Sequence, residues 1–363
     1  MKPFTRILIT GTTGLVGFYL LKTLINTTEG ELVLLIRSSS YDDAVERCKK
    51  LLVRLSDPIP DLNKIMRRIK MICGDLTKIN FGINTDEYNS LCQSITEIYH
   101  CAALTGLRET LESLRSANVL GTKNVLEFAA KCKKLKKVNY VSSIFISGTY
   151  KGDFSEEDLN FGQSFNNAYE QSKFEAELIV RDYIKSGMSV VIYRPGIIVG
   201  DYETGLAFRP GLLYHLFRIL SLEIFQKFPL NVNTVLNILP CDIVAEAIYR
   251  LSIDSQNSDV YHLLNNSPIL LTHIIHIASN VLNCKEPEYV DKDIFRFNDI
   301  DTVKRRILEP FVPYFNLQTN HCSTKTLTKL KKIKFEYPKI DDKFLLKMLD
   351  TGKKSNNVQK KFC

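Results

Sequence analysis

Short apolar runs alternate with longer stretches of helical periodicity through the first half of the chain. The runs are rich in aliphatic and β-branched residues, which is typical of strands covered on both faces. They span residues 6–10, 32–36, 69–73, 97–100, 138–142 and 190–193. Helical spacing lies between them, over residues 15–25, 41–55, 85–94, 110–132 and 168–186. This repetition predicts an α/β fold, a doubly wound parallel sheet with helices on both faces.

The alternation breaks after Pro195, where glycine, proline and asparagine interrupt the pattern as far as Pro240. A helix over 242–251 and a strand over 260–264 follow. We therefore expect a sheet domain, a smaller C-terminal substrate-binding lobe and a mobile polar tail. The predicted boundaries are 1–200 with 236–265 returning to it for the sheet domain, 201–235 and 266–350 for the lobe, and 351–363 for the tail.

The most apolar long stretch, residues 211–230, contains His215, Arg218, Glu223 and Lys227. These polar side chains predict a buried or half-buried helix and exclude a bilayer span. The first residues carry no signal peptide, and the nine cysteines are scattered without a CxxC pair. Both features favour a reducing cytoplasm. The histidines lack ligand spacing, so no metal site is predicted.

The chain has 363 residues, 45% of them hydrophobic and 24% charged, which is ordinary for a folded globular protein. Its net charge of +8 is densest over residues 131–137. A solvated helix end explains this cluster, and a docking patch for an acidic partner or for cofactor phosphates is the alternative. Basic and aromatic residues do not interleave there, which argues against nucleic acid.

A glycine-rich turn, Gly11-Thr-Thr13-Gly14-Leu15-Val16-Gly17, directly follows the first predicted strand and opens the first helix. Backbone N–H groups in such a turn approach a pyrophosphate, and the helix N-terminus favours its negative charge. With the second strand at the right distance, this arrangement predicts a Rossmann-type dinucleotide site.

The end of the second strand distinguishes the two nicotinamide cofactors. NAD sites place an acidic residue there, against the ribose 2′-hydroxyl. Here Arg37 stands at that place, and Arg47 follows on the next helix. Since arginine pairs with a 2′-phosphate, the sequence favours NADP(H); a plain surface arginine is the alternative for Arg37.

The next two strands also end in candidate cofactor contacts. Asp75-Leu76 follows the third strand, where the carboxylate can accept a hydrogen bond from adenine or cap a helix. The small residues Ala102 and Ala103 let a dinucleotide lie close to the backbone. We interpret His100 as structural.

Tyr169 and Lys173 are four residues apart in a strongly helical stretch and therefore share one helix face. A nearby ammonium is expected to lower the pKa of the phenol and prepare it for proton donation. The preceding strand ends in Ser142-Ser143, and only one of these side chains can face a substrate. We assign Ser143, with Ser142 as the alternative, to hold a carbonyl oxygen together with Tyr169.

Taken together, these motifs resemble the extended short-chain dehydrogenase/reductase family. The closest likeness is to its thioester reductase and fatty acyl-CoA reductase branch, the male-sterility type of NAD-binding domain. The residues that carry it are Gly11-x-x-Gly14-x-x-Gly17, Gly74-Asp75-Leu76, Ala117-Asn118-Val-Leu-Gly121-Thr, Tyr140-Val-Ser-Ser143, Tyr169-x-x-x-Lys173, Tyr193-Arg194-Pro195-Gly196 and Leu239-Pro240-Cys-Asp242.

The resemblance implies NADPH-dependent reduction of an acyl thioester, bound to a carrier protein or to CoA, to an aldehyde or alcohol. It implies that Lys173 also binds the nicotinamide ribose, that Pro195-Gly196 lies near the nicotinamide ring, and that the 211–230 helix lines an acyl channel; for that helix, core packing is the alternative. The cofactor contacts expected are Gly11, Thr13, Gly14, Leu15, Val16, Gly17, Arg37, Arg47, Asp75, Leu76, Ala102, Ala103, Asn118, Tyr169, Lys173, Pro195 and Gly196.

Further expectations concern partners. Met1 lies just before the first strand, so we expect the carrier protein to be a separate chain. The segment 147–167 is expected to face the substrate, and a homodimer through sheet-covering helices is an open alternative. Two rival functions remain: an extended dehydrogenase acting on a ketone or alcohol, such as a 3β-hydroxysteroid or nucleotide sugar, and a dinucleotide-sensing module without catalysis.

Overall fold

The computed structural model describes residues 5–38, 40–55, 62–106, 108–255 and 257–354. Its strands are β1 Arg6–Thr10, β2 Glu31–Ile36, β3 Ile69–Cys73, β4 Glu97–His100, β5 Lys137–Val141, β6 Gly152–Phe154, β7 Val190–Pro195, β8 Ile197–Val199, β9 Lys227–Pro229, β10 Val235–Leu236, β11 Ile238–Pro240, β12 Asp259–Leu263, β13 Ile269–Leu270, β14 Glu288–Val290 and β15 Thr319–His321.

The α-helices lie between these strands. They are α1 Leu15–Thr27, α2 Tyr41–Leu55, α3 Leu62–Arg68, α4 Thr85–Ser94, α5 Leu111–Leu114, α6 Gly121–Lys131, α7 Ala168–Lys185, α8 Leu212–Ser221, α9 Cys241–Asp254, α10 Leu271–Leu282, α11 Thr302–Leu308, α12 Thr324–Lys332 and α13 Asp342–Lys354. Short 3₁₀ segments cover Ile79–Gly82, Ile144–Ser147, Phe297–Asp299 and Glu309–Phe315.

The central sheet has seven strands in the order β12-β7-β5-β4-β1-β2-β3. Every neighbouring pair is parallel. The strand order reverses between β1 and β4, and in open parallel sheets the ligand crevice forms outside the carboxyl ends at such a point. The predicted doubly wound Rossmann-type sheet is therefore confirmed.

Helices cover both faces of the sheet because its strands alternate their apolar side chains. Ile7 and Ile9 of β1 pack with α1 and α9 on one face. Leu8, between them, packs with α4, α6 and α7 on the other face. Both faces are buried, which explains why the strands read as continuous apolar runs in the sequence.

A further apolar core lies outside the sheet. It is built from α8, α10, α13 and the 3₁₀ segment Glu309–Phe315, with contributions from β8, β9 and β11. The parallel pair β6 and β15 joins the segment after Ser147 to the C-terminal part of the chain. Among the described residues, no helix combines the length and apolarity that crossing a bilayer requires.

Two predicted helices differ from the structure. The helix expected over 211–230 ends at Ser221, because Glu223 adopts a left-handed backbone conformation (φ 51°) and the chain turns into β9. The helix expected over 110–132 contains a π-helical turn, Arg115–Leu120, between α5 and α6.

The last helix continues to Lys354, so residues 351–354, assigned to the tail, are helical; residues 355–363 lie outside the described residues.

Candidate active site

The glycine-rich turn forms as expected between β1 and α1. Gly11 has φ of +75°, a conformation that favours glycine, and a Cβ on Gly17 would clash with the Gly11 carbonyl oxygen. Helix α1 starts at Leu15 with no side-chain cap and no acidic residue in its first turn. Backbone N–H groups at this helix start therefore fit an anion such as a pyrophosphate.

Arg37 and Arg47 lie together beyond the end of β2. A guanidinium nitrogen of Arg47, Nη1, donates to the carbonyl oxygen of Arg37 at 2.7 Å, and its Nε donates to Asp43 at 3.2 Å. The Arg37 side chain is exposed and makes no ion pair or hydrogen bond with the described part of the chain. Both arginines thus lie at the strand end where the sequence predicts a 2′-phosphate.

The other predicted contacts at the adenosine end already have protein partners. The Asp75 carboxylate accepts from the backbone N–H and hydroxyl of Thr77 at 2.9 and 2.8 Å. It therefore closes a turn and does not cap a helix, since the 3₁₀ segment that follows has Lys78 at its N-cap and no side-chain cap. Leu76 packs against the core on the α6 face. Neither residue lines the cleft described below.

Asn118 lies in the π-helical turn and is buried. Its amide accepts from the N–H of Leu104 at 2.7 Å and donates to the Leu104 carbonyl at 3.0 Å and to Ser172 at 2.9 Å. Asn118 therefore braces the loop after β4 against α7. Within that loop, Ala102 packs against Gly11 and Ala103 lines the cleft.

A cleft of about 700 Å³ opens at the carboxyl edge of the sheet. Its walls bring together most of the predicted site. The predicted residues that line it are Gly14, Leu15, Val16, Gly17, Ala103, Ser142, Ser143, Tyr169, Lys173, Pro195 and Gly196. The chain between Phe145 and Tyr169 contributes none of the described lining residues, so the expectation that 147–167 faces this cleft is wrong.

The two serines after β5 have different partners. The Ser142 hydroxyl donates to Glu177 at 2.6 Å and is committed to that buried carboxylate. The Ser143 side chain caps the following 3₁₀ turn at Phe145 and interacts with the Tyr169 hydroxyl. These contacts support Ser143 over Ser142 as the substrate-facing serine.

Helix α7 presents Tyr169 and Lys173 to the same cleft. The helix starts at an N-cap, Asn167, whose side chain accepts from the N–H of Glu170 at 3.0 Å. Lys173 is buried, and its Nζ donates to the Val141 carbonyl at 2.8 Å. Burial lowers the pKa of Lys173 to about 8.

The expectation of a lowered phenol pKa is wrong in this structure. Burial raises the pKa of Tyr169 to about 12, against the opposing effect of the Ser143 hydroxyl. The Lys173 ammonium is anchored on the Val141 carbonyl and is not among the groups that shift the Tyr169 phenol. At neutral pH the phenol therefore keeps its proton.

The comparisons with known proteins agree with this geometry. Residues 9–248 match the NAD-binding family described as male sterility protein. The chain belongs to the male sterility protein family. It is 29% identical to a linear gramicidin synthase of Brevibacillus parabrevis over 96% of the chain, and 28% identical to the L-2-aminoadipate reductase of Candida glabrata, in its large subunit, over 76%.

A solved terminal R domain from the myxalamid PKS-NRPS biosynthetic pathway superposes with a TM-score of 0.84 and 25% identity, covering 98% of this chain and 92% of that one. The chain spans only 7% of the gramicidin synthase and 21% of the aminoadipate reductase. The predicted extended short-chain dehydrogenase/reductase branch is confirmed, and the male sterility family is one of dinucleotide-binding oxidoreductases.

This male sterility family member also holds a carboxylate and a phenol that the sequence analysis did not identify. Glu170, next to the candidate Tyr169, is buried and accepts from Tyr314 Oη at 2.9 Å. Tyr314 also accepts from Asn167 at 2.8 Å and packs edge-on against Phe145. Tyr314 comes from the C-terminal segment and lines the cleft, and its contact to α7 could not be found from sequence spacing.

Of the described residues, three arginines and one acidic residue, Glu109, line the cleft. Arg108, Arg209 and Arg218 line it together with His215. Burial and the charges of Arg218 and Arg108 lower the pKa of His215, as expected for positive potential. Three positions of α8 one turn apart, Leu212, His215 and Ile219, face the cleft, while the opposite side of the helix packs in the second core.

The basic cluster at 131–137 lies at the amino end of β5, on the side of the sheet away from the cleft. Lys131 lies over the Tyr88 ring, and Lys137 donates to the Ser252 carbonyl. The cluster is therefore not placed to bind cofactor phosphates.

His100 is bridged by Thr10 at 2.7 Å and Thr122 at 3.0 Å, and burial lowers its pKa to about 3, as expected for a structural histidine.

Proposed function

We propose that this chain reduces acyl thioesters with NADPH, using Ser143, Tyr169 and Lys173. The observation that carries the proposal is the meeting of these three side chains with the glycine-rich helix start in one cleft. The names of the relatives, an aminoadipate reductase and a terminal R domain, agree with this chemistry.

The bound cofactor supplies a hydride to the thioester carbonyl carbon. Ser143 and Tyr169 then hold the carbonyl oxygen as negative charge develops on it. Tyr169 donates its proton to that oxygen, since burial keeps the phenol protonated with a pKa of about 12. The resulting hemithioacetal breaks its carbon–sulfur bond, and its hydroxyl proton passes to the sulfur, which gives a thiol and an aldehyde. A proton from solvent restores the Tyr169 phenol, and a second hydride and proton would give an alcohol.

NADPH is the proposed cofactor because of the arginine pair at the end of β2. The Arg47 guanidinium bonds the backbone carbonyl of Arg37, so both residues lie at the strand end, which carries no carboxylate. Guanidinium groups pair with phosphate through charge-assisted hydrogen bonds. The proposed contacts at the nicotinamide end are Lys173, Pro195 and Gly196, which line the cleft.

The proposed substrate is a thioester on a carrier protein or on CoA. Both carriers bring a phosphate at the end of the thiol arm, and the guanidinium groups of Arg108, Arg209 and Arg218, which line the cleft, suit a phosphate. Apolar walls, among them Phe145 and Phe311, suit the acyl group. In this proposal residues 1–200 and 236–265 hold the cofactor, and residues 201–235 and 266–350 hold the acyl arm together with Arg108 and Phe145 of the sheet domain.

The test is NADPH oxidation by purified protein with acyl-CoA and acyl-pantetheine thioesters, set against matched ketones and aldehydes. Tyr169→Phe is the catalytic control, with NADPH binding measured in both proteins to show that the site is intact. Thioester-dependent oxidation that is lost in Tyr169→Phe supports the proposal.

Activity confined to ketones or alcohols would instead assign the chain to the carbinol dehydrogenases. NADPH binding without turnover of any carbonyl compound would indicate a dinucleotide-sensing module.

A further inference from the structure

Helix α7 carries an acidic residue in line with the two candidate catalytic residues. Tyr169, Lys173 and Glu177 follow at four-residue spacing and so share the helix face that meets the end of β5. Lys173 donates to the carbonyl of Val141, and Glu177 accepts from the hydroxyl of Ser142 at 2.6 Å. Successive turns of α7 therefore hold successive residues at the end of β5.

Glu177 is itself paired with Arg194 of β7. Arg194 Nη2 lies 2.5 Å from one carboxylate oxygen, and its Nε lies 3.2 Å from both. Both side chains are completely buried. A buried ion pair costs desolvation free energy that its own attraction rarely exceeds, so stability alone is a weak reason for it.

The remaining donors of Arg194 are all satisfied. Its guanidinium donates to the carbonyl oxygens of Glu156 at 3.2 Å and Asp158 at 2.7 Å. It also donates to Nε2 of His262 at 3.0 Å, an acceptor because Nδ1 of that ring donates to the Cys322 carbonyl. Arg194 is thus fixed from three sides and presents an oriented positive charge to Glu177.

Of the described groups around Lys173, one carries a negative charge near pH 7. Burial raises the pKa of Cys101 to about 12 and lowers that of His100 to about 3, so both are neutral near pH 7. The Tyr140 ring lies 4.6 Å from Lys173 Nζ, and Tyr169 is a neutral phenol. Among the described groups that act on Lys173, Glu177 alone is an anion at that pH.

We propose that Glu177, held ionised by Arg194, is a positioning residue that keeps Lys173 in its ammonium form and fixed against the Val141 carbonyl. The proposal rests on the proposed role of Lys173 in the reductase. Burial opposes the ionised form of Glu177, but the charge and hydrogen bonds of Arg194 hold its pKa below the usual range, with help from Ser142 and Arg181. Glu177 in turn opposes the effect of burial on the pKa of Lys173.

The experiment compares the natural protein with Glu177→Gln, with the double variant Glu177→Gln/Arg194→Met, and with Glu177→Asp. The glutamine keeps the side-chain shape, the double variant also removes the buried Arg194 charge that would otherwise lose its partner, and the aspartate keeps the negative charge. NADPH affinity is measured by fluorescence as a function of pH, alongside kcat/KM for the thioester, and thermal unfolding confirms that each variant is folded.

The natural protein should lose NADPH affinity as pH rises through about 8, where Lys173 loses its proton. In the variants that lack the Glu177 charge, this fall in NADPH affinity should move to lower pH by about 1 unit, which is roughly a fivefold loss of affinity at the midpoint of the natural protein. In Glu177→Asp, NADPH affinity should fall at nearly the same pH as in the natural protein. The matched control is Glu175→Gln/Arg115→Met, which removes the ion pair between Glu175 of the same helix and Arg115 of the π-helical turn and should leave the pH dependence of NADPH affinity unchanged.

The proposal is wrong if a folded variant without the Glu177 charge loses NADPH affinity at the same pH as the natural protein. It is also wrong if Glu177→Asp moves that pH as far as Glu177→Gln does. Because NADPH binding needs no thioester, absent turnover with a shifted pH dependence of NADPH affinity would reject the reductase function and leave the role of Glu177 standing. Normal thioester turnover, with the pH dependence of NADPH affinity unchanged in the variants, would support the reductase function and reject the role of Glu177.

Discussion

The Nζ of Lys173 lies 2.8 Å from the carbonyl oxygen of Val141, the last residue of the strand that leads into Ser143. This hydrogen bond ties the helix with the candidate Tyr169 to the strand end with the candidate serine. The relative position of the two hydroxyls thus depends on a backbone contact, and substitutions at Lys173 are expected to disturb both charge and geometry.

The first prediction concerns pH. Burial lowers the pKa of Lys173 to about 8, so the ammonium predominates below that pH and is lost above it. We expect kcat/KM to fall as pH rises through about 8, while Tyr169, with its pKa raised to about 12, adds no limb there. Lys173→Arg should lower activity and remove the limb, because a guanidinium stays charged. Rate profiles of both proteins check this, and a limb that persists in Lys173→Arg would assign it to another group.

The second prediction concerns cofactor choice. Arg37→Ala and Arg47→Ala should each raise the KM for NADPH by about tenfold, the cost of roughly one charge-assisted hydrogen bond, and leave the KM for NADH nearly unchanged. Lys49→Ala, an exposed cation on the same helix as Arg47, is the control. Equal losses with both cofactors would show that the arginines do not distinguish a 2′-phosphate.

The third prediction separates the two serines. Ser143→Ala should lower kcat by on the order of 100-fold with little change in thermal stability, because it removes a group that holds the carbonyl oxygen. Ser142→Ala removes a hydrogen bond to the buried Glu177, so it should cost about 1–3 kcal/mol of unfolding free energy with a smaller loss of kcat. Denaturant unfolding and steady-state rates measured together decide the assignment. A reversed pattern would make Ser142 the substrate-facing residue.

The fourth prediction concerns Tyr314. Tyr314→Phe keeps the ring against Phe145 but removes the hydrogen bonds to Glu170 and Asn167. The C-terminal segment should then be held less firmly over the cleft, raising the thioester KM several-fold and leaving NADPH affinity unchanged. Tyr289→Phe, a tyrosine of the same lobe bonded to Glu286, is the matched control. A loss of NADPH affinity in Tyr314→Phe would place the contact in cofactor binding.

The sheet could be predicted from the sequence because most of its strands are buried on both faces and read as short apolar runs; the edge strand β3 is half-buried. The strand boundaries agree with the structure within two residues. The helix over 211–230 was predicted too long, since apolar residues after Ser221 serve the second core as strand and loop. Periodicity over a short apolar run does not distinguish those two conformations.

The candidate site was predicted where it depends on local spacing, as in the glycine turn and in Tyr169 with Lys173. Contacts between distant segments could not be predicted in the same way. The Glu177–Arg194 pair needs α7 and β7 to be adjacent, and Tyr314 reaches Glu170 from the far end of the chain. Burial also reversed the direction expected for the Tyr169 pKa, and burial is a property of the assembled core.

The pairing of β15 with β6 has a consequence for how the protein is made. During synthesis Tyr169 and Lys173 leave the ribosome long before Tyr314 and the strand Thr319–His321. A nascent chain can therefore complete most of the parallel sheet while the apolar wall of the cleft is still open to water, a state prone to aggregation. The segment from Tyr314 onward therefore covers the cleft wall last, after all seven strands of the sheet have been synthesised.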